Sequence, residues 1–538
     1  MTLLSARRCM PFGAVCVIGQ KIYGSDPGRG DAADKTKRVP GGGERAEMCV
    51  AAYLSYPAVW RRQRVKNGTG KGLCSMGSIL IRKGTIVTTS NEYVGDVLLD
   101  KGKIAAIGEN LDVGADRIVE AEGKYVLPGG IDQHVHFSFQ FNGTSTRGFE
   151  TSNAAVAGGT TTVIEFVNQV KGKGLTQSVE DYRRDKADGI AAADYGFHIV
   201  MTDPRPEILD EIPSLVDAGY PTMKLFMAYK GMFFHADDDT ILKALMKAKD
   251  AGITVMVHAE NADAIDVLQK QLIAAGRTDP YGHVLSRPPM VEAEATGRAI
   301  DLAKIADAPL YVVHVTCKEA LEKIARARLA GQRVCGETCT HYLTLDSENL
   351  AKPKFEGAKF VCSPALRAVE HHEALWQALN LGTLNAVSSD HCGFDWAKQK
   401  HMGRDDFRNI PNGAPGLQNR LGILWTYGVE AGKITRQKLV DIFAAMPARN
   451  AGLDHRKGFL SAGYDADIVL YDPSGRSTVT NADMLHGVDY CSYEGMEQIG
   501  RVDKVFLRGE LVVDDGKYVG HKGQGQFIPR KPYGTMYR

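Results

Sequence analysis

The sequence predicts an α/β protein: a (β/α)8 TIM-like barrel with a small β-sandwich domain built from both ends of the ordered chain. Three observations lead there. Eight short apolar runs alternate with helix-like stretches across residues 129–455, and alternation of that kind at that length indicates a parallel barrel. Short strands with tight turns precede this region and recur after it. The polar residues that end the apolar runs form one chemically coherent set, as expected of a barrel whose functional groups gather at the C-terminal ends of its strands.

Residues 1–75 stand apart. They carry 13 Lys or Arg against 5 Asp or Glu and show no sustained periodicity, which reads as a disordered extension of no catalytic role. Asp26, Asp31, Asp34, Glu44 and Glu47 argue against a transit peptide, which would be poor in acid. Residues 76–128 supply the first part of the sandwich, with strand-like Ile79-Leu80-Ile81, Ile86-Val87 and Val97-Leu98-Leu99. The barrel runs fall at 130–136, 160–167, 195–202, 222–229, 253–260, 310–316, 334–342 and 385–392. Helical patterns lie between them at 239–251, 291–306 and 317–330. Residues 456–515 return to short strands, at 466–471, 502–508 and 510–513, and complete the sandwich. Residues 516–538 form a C-terminal tail.

Composition excludes several function classes. The 538 residues are 44% hydrophobic and 24% charged, ordinary for a soluble globular chain. Lys plus Arg is 65 and Asp plus Glu is 64, so the net charge of +1 gives no electrostatic case for nucleic acid. No uninterrupted apolar stretch reaches the roughly 18 residues of a membrane span. The ten cysteines contain no Cys-x-x-Cys pair, which suits reduced thiols in a cytoplasmic protein.

The strand ends carry the chemistry. The first run ends Asp132-Gln133-His134-Val135-His136; residues two apart on a strand share a face, so both imidazoles point together. Run five ends at His258 and run six at His314, and run eight ends Ser388-Ser389-Asp390-His391. A single histidine at such a place is more often structural than a ligand. Four at one barrel mouth beside a carboxylate suit zinc or a similar divalent ion. Lys224 lies inside the apolar run Thr222-Met223-Lys224-Leu225-Phe226-Met227, where an isolated cation is costly. It either pairs with an acid or snorkels to the rim, or burial neutralises it. A neutral amine captures carbon dioxide as a carbamate, whose two oxygens can bridge two ions. The neighbouring imidazoles and Asp390 favour the bridging reading.

The strings PGGIDQHVH, TMKLFMAYKG, VMVHAE, VVHVT, SSDH and NGAPGLQNR resemble the hydantoinase/dihydropyrimidinase family of the amidohydrolase superfamily over residues 78–520. The resemblance implies that His134, His136 and Asp390 hold one zinc, that His258 and His314 hold the second, and that N6-carboxylated Lys224 bridges them. Tyr229 is similar to the family tyrosine that hydrogen-bonds the substrate carbonyl. Ser363 and Asn412 resemble the residues that fix the ring through backbone contacts. The implied reaction is hydrolytic opening of a cyclic amide, with Asp390 and Tyr229 as catalytic groups. The implied assembly is a homotetramer whose tails reach a neighbouring subunit.

Ser138 stands two residues past His136, where carboxylate-binding relatives carry an arginine. Phe139 and Phe141 follow it, and Phe233 and Phe234 follow Tyr229. A ring without a carboxylate is therefore expected: 5,6-dihydrouracil or dihydrothymine, opened to an N-carbamoyl-β-amino acid. Hydantoin and allantoin are the alternative cyclic ureides. The alternative of another class is a non-catalytic scaffold of the same fold, which would lack metal ligands; here all six positions are filled.

Overall fold

A computed structural model describes residues 77–532. The extension expected at 1–75, and tail residues 533–538, lie outside the described residues. Eight parallel strands, β1–β8, make one sheet: Gly130–Val135, Thr160–Asn168, Asp194–Val200, Thr222–Phe226, Thr254–His258, Leu310–Val312, Val334–Cys339 and Ala386–Ser388. Each strand pairs with its neighbour in sequence, as right-handed β-α-β units require. The ring is drawn together by a bridge between Val135 and His391, where the His136 N–H donates to the His391 carbonyl at 2.8 Å. The protein therefore has the barrel that the sequence predicts.

The intervening helices show their causes locally. The helix Asp238–Ala251 begins where the Asp237 carboxylate accepts the Thr240 N–H, and it stops at Gly252, whose φ of +75° favours glycine. The helix Pro289–Ala306 starts on a proline, whose missing N–H costs nothing in the first turn. Ile241, Ala244, Leu245 and Ala248 recur at helical spacing and are buried.

The strand ends differ from the sequence reading in one respect. β6 stops at Val312 and β8 at Ser388, each two residues before the expected ligand. His314, Asp390 and Tyr229 have φ of +40°, +46° and +63°, so the backbone turns away from the sheet at these residues. Lys224 lies within β4 and His258 ends β5.

The second sheet has nine strands drawn from both ends of the described chain. Strand Tyr125–Pro128 joins the halves, pairing parallel with Ile79–Val87 and antiparallel with Ile468–Thr478. Its own core includes Ile81, Ile86, Val97, Ile468 and Phe506. A buried ionic cluster ties this domain to the barrel. The Lys457 ammonium lies 2.7 Å from Asp194 on β3, 2.6 Å from Asp467 and 3.2 Å from Asp465.

The tail is laid along β3 of its own barrel. The Tyr195 N–H donates to the Gln526 carbonyl and the Ile528 N–H to the Tyr195 carbonyl. Phe527 packs among Tyr195, Phe197 and Tyr220. The buried Arg530 guanidinium donates to Thr222 Oγ1 at 2.6 Å and to the Phe197 carbonyl.

Candidate active site

The barrel mouth collects the polar ends of five strands. His134 on β1 is fixed by a 2.6 Å hydrogen bond from Nδ1 to Glu337 on β7. That leaves Nε2 facing inward, 3.2 Å from Lys224 Nζ and 3.2 Å from Asp390 Oδ1. His136 Nε2 lies 3.3 Å from the same Asp390 oxygen. His258 Nε2 meets Glu260 at 2.8 Å, which leaves Nδ1 as its second nitrogen. The His258 and His314 rings are 4.5 Å apart, and the His134 and His314 rings 5.3 Å apart. The four histidines, Lys224 and Asp390 thus share one small volume, and ligand atoms of His134, His314 and Asp390 all lie within 4.8 Å of one another.

These groups fit a cation. Burial pushes His134 and His314 well below the usual imidazole range and lowers His136 and His258. Neutral imidazole is the ligating form. His136 Nδ1 and His314 Nδ1 are buried with no hydrogen-bond partner, a state proteins rarely tolerate without a further ligand. Lys224 is 1% exposed. Its ammonium lies 4.1 Å from the Phe166 ring centre and 4.6 Å from that of Phe226, and among the described residues no carboxylate forms an ion pair with it. Burial brings its pKa down to about 8, against the pull of Asp390 and Glu337, so neutral amine is accessible.

Above this cluster opens a pocket with both polar and aromatic walls, the usual make-up of a small-molecule site. Tyr229, Ser363 and Asn412 line one wall. The Asn412 amide donates to Ser363 Oγ at 2.9 Å. Burial pushes the Tyr229 phenol up to about 12, with Arg287 and hydrogen bonds to Ser363 and Asn412 working the other way. Its hydroxyl is therefore a proton-bearing donor at neutral pH. Phe139, Phe141, Phe226 and Phe234 form the apolar wall. Phe233 does not contribute: it is 61% exposed, and Phe226 on β4 takes the place expected of it.

The structure adds groups the sequence reading passed over. Glu337 holds His134, and Glu260 holds His258. Burial would raise Glu260, but the His258 hydrogen bond and the Arg287 charge hold it down at about 2. Both carboxylates gave a signal: Glu260 stands two residues past His258, and Glu337 is a charge inside a strand, as Lys224 is. Cys339 is also near the site, its sulfur within 4.8 Å of ligand atoms of Asp390 and of His341, a histidine the sequence already places near the barrel mouth. His198 has both nitrogens occupied, by Thr222 and the Gln133 carbonyl, so its role is structural. The six described cysteines are buried and free. Among the described residues no helix is long and apolar enough to cross a membrane.

Comparison with known proteins bears on the fold and the family. A D-hydantoinase of Geobacillus stearothermophilus is 46% identical over 460 residues, spanning 85% of this chain and 97% of the relative. A dihydropyrimidinase of Arabidopsis thaliana is 39% identical over 477 residues, spanning 88% and 89%. The crystal structure of a dihydropyrimidinase from Brevibacillus agri superposes with a TM-score of 0.83 at 45% identity, covering 85% of this chain and 99% of that one. The amidohydrolase family model matches residues 125–512. With the barrel and these matches in agreement, the chain belongs to the amidohydrolase family.

Proposed function

We propose that this chain hydrolyses a cyclic amide, opening 5,6-dihydrouracil or dihydrothymine to an N-carbamoyl-β-amino acid. The observation that carries the reading is the convergence of four imidazoles and Asp390 on a buried lysine that forms no ion pair with a carboxylate among the described residues. Two zinc ions suit these nitrogen and oxygen donors. His134, His136 and Asp390 would hold one, His258 and His314 the other, with carboxylated Lys224 between them. When bound, such ions supply Lewis acidity and a water of lowered pKa.

The chain's own groups do the rest. Asp390, at the pocket floor, accepts the proton of the attacking water and passes it to the ring nitrogen as the carbon–nitrogen bond breaks. The Tyr229 hydroxyl donates to the oxygen of the attacked carbonyl as charge develops there. Ser363 and Asn412 orient the ring, and the four phenylalanines exclude bulk water. No cation stands at Ser138, which supports a ring without a carboxylate.

A second reading, hydantoin, is favoured by the relatives named D-hydantoinase, which share 46% identity with the chain. Loss of ring absorbance with dihydrouracil, hydantoin and allantoin as substrates separates the readings. The proposal expects zinc-dependent turnover fastest on dihydrouracil; inactivity on all three in protein carrying two ions per chain would reject it. The proposed setting is cytoplasmic and the proposed assembly a homotetramer. Ile305, Leu329 and Leu381, each in the last turn of its helix, are 66%, 90% and 82% exposed, apolar surface that an assembly would cover.

A further inference from the structure

Lys400 opens a short helical turn, Lys400–Gly403, and is fully buried. Among the described residues it has no carboxylate partner. Its ammonium donates instead to three backbone carbonyls: Val361 at 2.8 Å, Pro411 at 2.6 Å and Gly413 at 2.6 Å. Burial brings the Lys400 pKa down to about 7, but an ammonium has three protons and these three carbonyls accept all of them, which favours the charged form. The carbonyls belong to two segments distant in sequence. One leads into Ser363 and the other contains Asn412, the two residues on the pocket wall.

Each segment also has its own anchors: His283 Nε2 bonds the Cys362 carbonyl at 2.8 Å, the Tyr342 hydroxyl donates to the Pro364 carbonyl at 2.7 Å, and the Cys392 N–H donates to the Ala414 carbonyl at 3.1 Å, but few bonds join one segment to the other. The Gly413 N–H donates to the Val361 carbonyl at 3.0 Å, and the Asn412 amide reaches Ser363. Gly413 has φ of +143°, and a Cβ there would lie 2.4 Å from the Cys392 carbonyl oxygen, so its backbone sits hard against the loop after β8. In a trans peptide the carbonyl and the following N–H point in opposite directions. Drawing the Pro411 carbonyl onto Lys400 therefore turns the Asn412 N–H away from the cation. A charged donor also polarises the peptide it bonds, which strengthens that N–H as a donor.

We propose that Lys400 is a positioning residue for ring recognition: from behind the pocket wall, it fixes the two backbone segments that carry Ser363 and Asn412. It touches neither the ring nor the proposed metal cluster. Its effect falls on binding the ring in the ground state and the transition state alike, which moves KM rather than kcat. The inference rests on the reading of Ser363 and Asn412 as ring contacts.

The test is K400M, close in shape but unable to donate, with K400Q as a variant that keeps two donors. In zinc-loaded protein, K400M is expected to raise KM about tenfold or more, as loss of uniform ring binding does. Metal content should stay unchanged and kcat within about threefold. K400Q is expected to fall between K400M and wild type, and it carries the test if K400M does not fold. KM within about twofold of wild type, or a joint loss of kcat and bound metal, would overturn the proposal. Hydrogen exchange gives a readout independent of turnover: amides of 361–363 and 412–414 should exchange faster in the variants while 130–136 stay protected. Unchanged exchange in both segments rejects the role of Lys400. Faster exchange with a wild type that opens none of the rings rejects the functional reading alone.

Discussion

The Lys224 amine, enclosed by the rings of Phe166 and Phe226, lies 3.2 Å from His134 Nε2, an atom of a prospective metal ligand. Lys224→Met should remove the bridge without disturbing the aromatic packing. The expected result is loss of bound metal and a fall in kcat/KM of about 10³-fold or more, since polarisation by such ions is worth several kcal/mol. Metal analysis with carbon-13 NMR under labelled carbon dioxide checks it; a variant that keeps two ions per chain would refute the bridging role. The lysine was legible in the sequence because a cation interrupts an apolar run. Glu337 interrupts Val334–Cys339 in the same way, yet its strand is mixed with Cys, Gly and Thr, so the contrast is weak. The left-handed backbone at His314 and Asp390 had no sequence signal, because neither residue type demands it.

At the scale of the strand, β7 acts as a brace for β1. Glu337 receives His134 Nδ1 and also bonds Gln133 and Ser388, so one side chain links three strands below the mouth. Removing the acceptor behind a ligating histidine commonly weakens metal binding 10- to 100-fold. Glu337→Ala is expected to show about that loss in a zinc-buffer titration with the fold retained; an unchanged affinity would mean that His134 is oriented by its other neighbours. Strand order and helix positions were legible because apolar periodicity and caps are local properties. The strand ends ran short of expectation because the chain leaves the sheet where its polar residues begin, and polarity alone does not mark that bend. The tail's attachment was hidden for another reason. Phe527 and Ile528 are only two apolar residues among glycines and cations, and the surface that receives them exists only after β3 is in place.

For the molecule as a whole, stability should depend on the ionic cluster between the two domains. Lys457 is 2% exposed and faces three aspartates. Breaking a buried ionic group by removing one partner typically costs about 3–5 kcal/mol. Lys457→Met should lower the urea midpoint accordingly, and a midpoint equal to wild type would show the aspartates are neutral without it. Light scattering should give the mass of four chains; a monomer would refute the proposed assembly. The pairing of 125–128 with 468–471 also bears on how the protein is made. The first five strands of the small sheet leave the ribosome with a bonding edge open, and their partner emerges only after the entire barrel has been translated. At about 5–20 residues per second that wait is on the order of tens of seconds. The nascent chain must carry an unpaired strand throughout, so early termination before residue 468 should yield an aggregation-prone fragment rather than a smaller working enzyme.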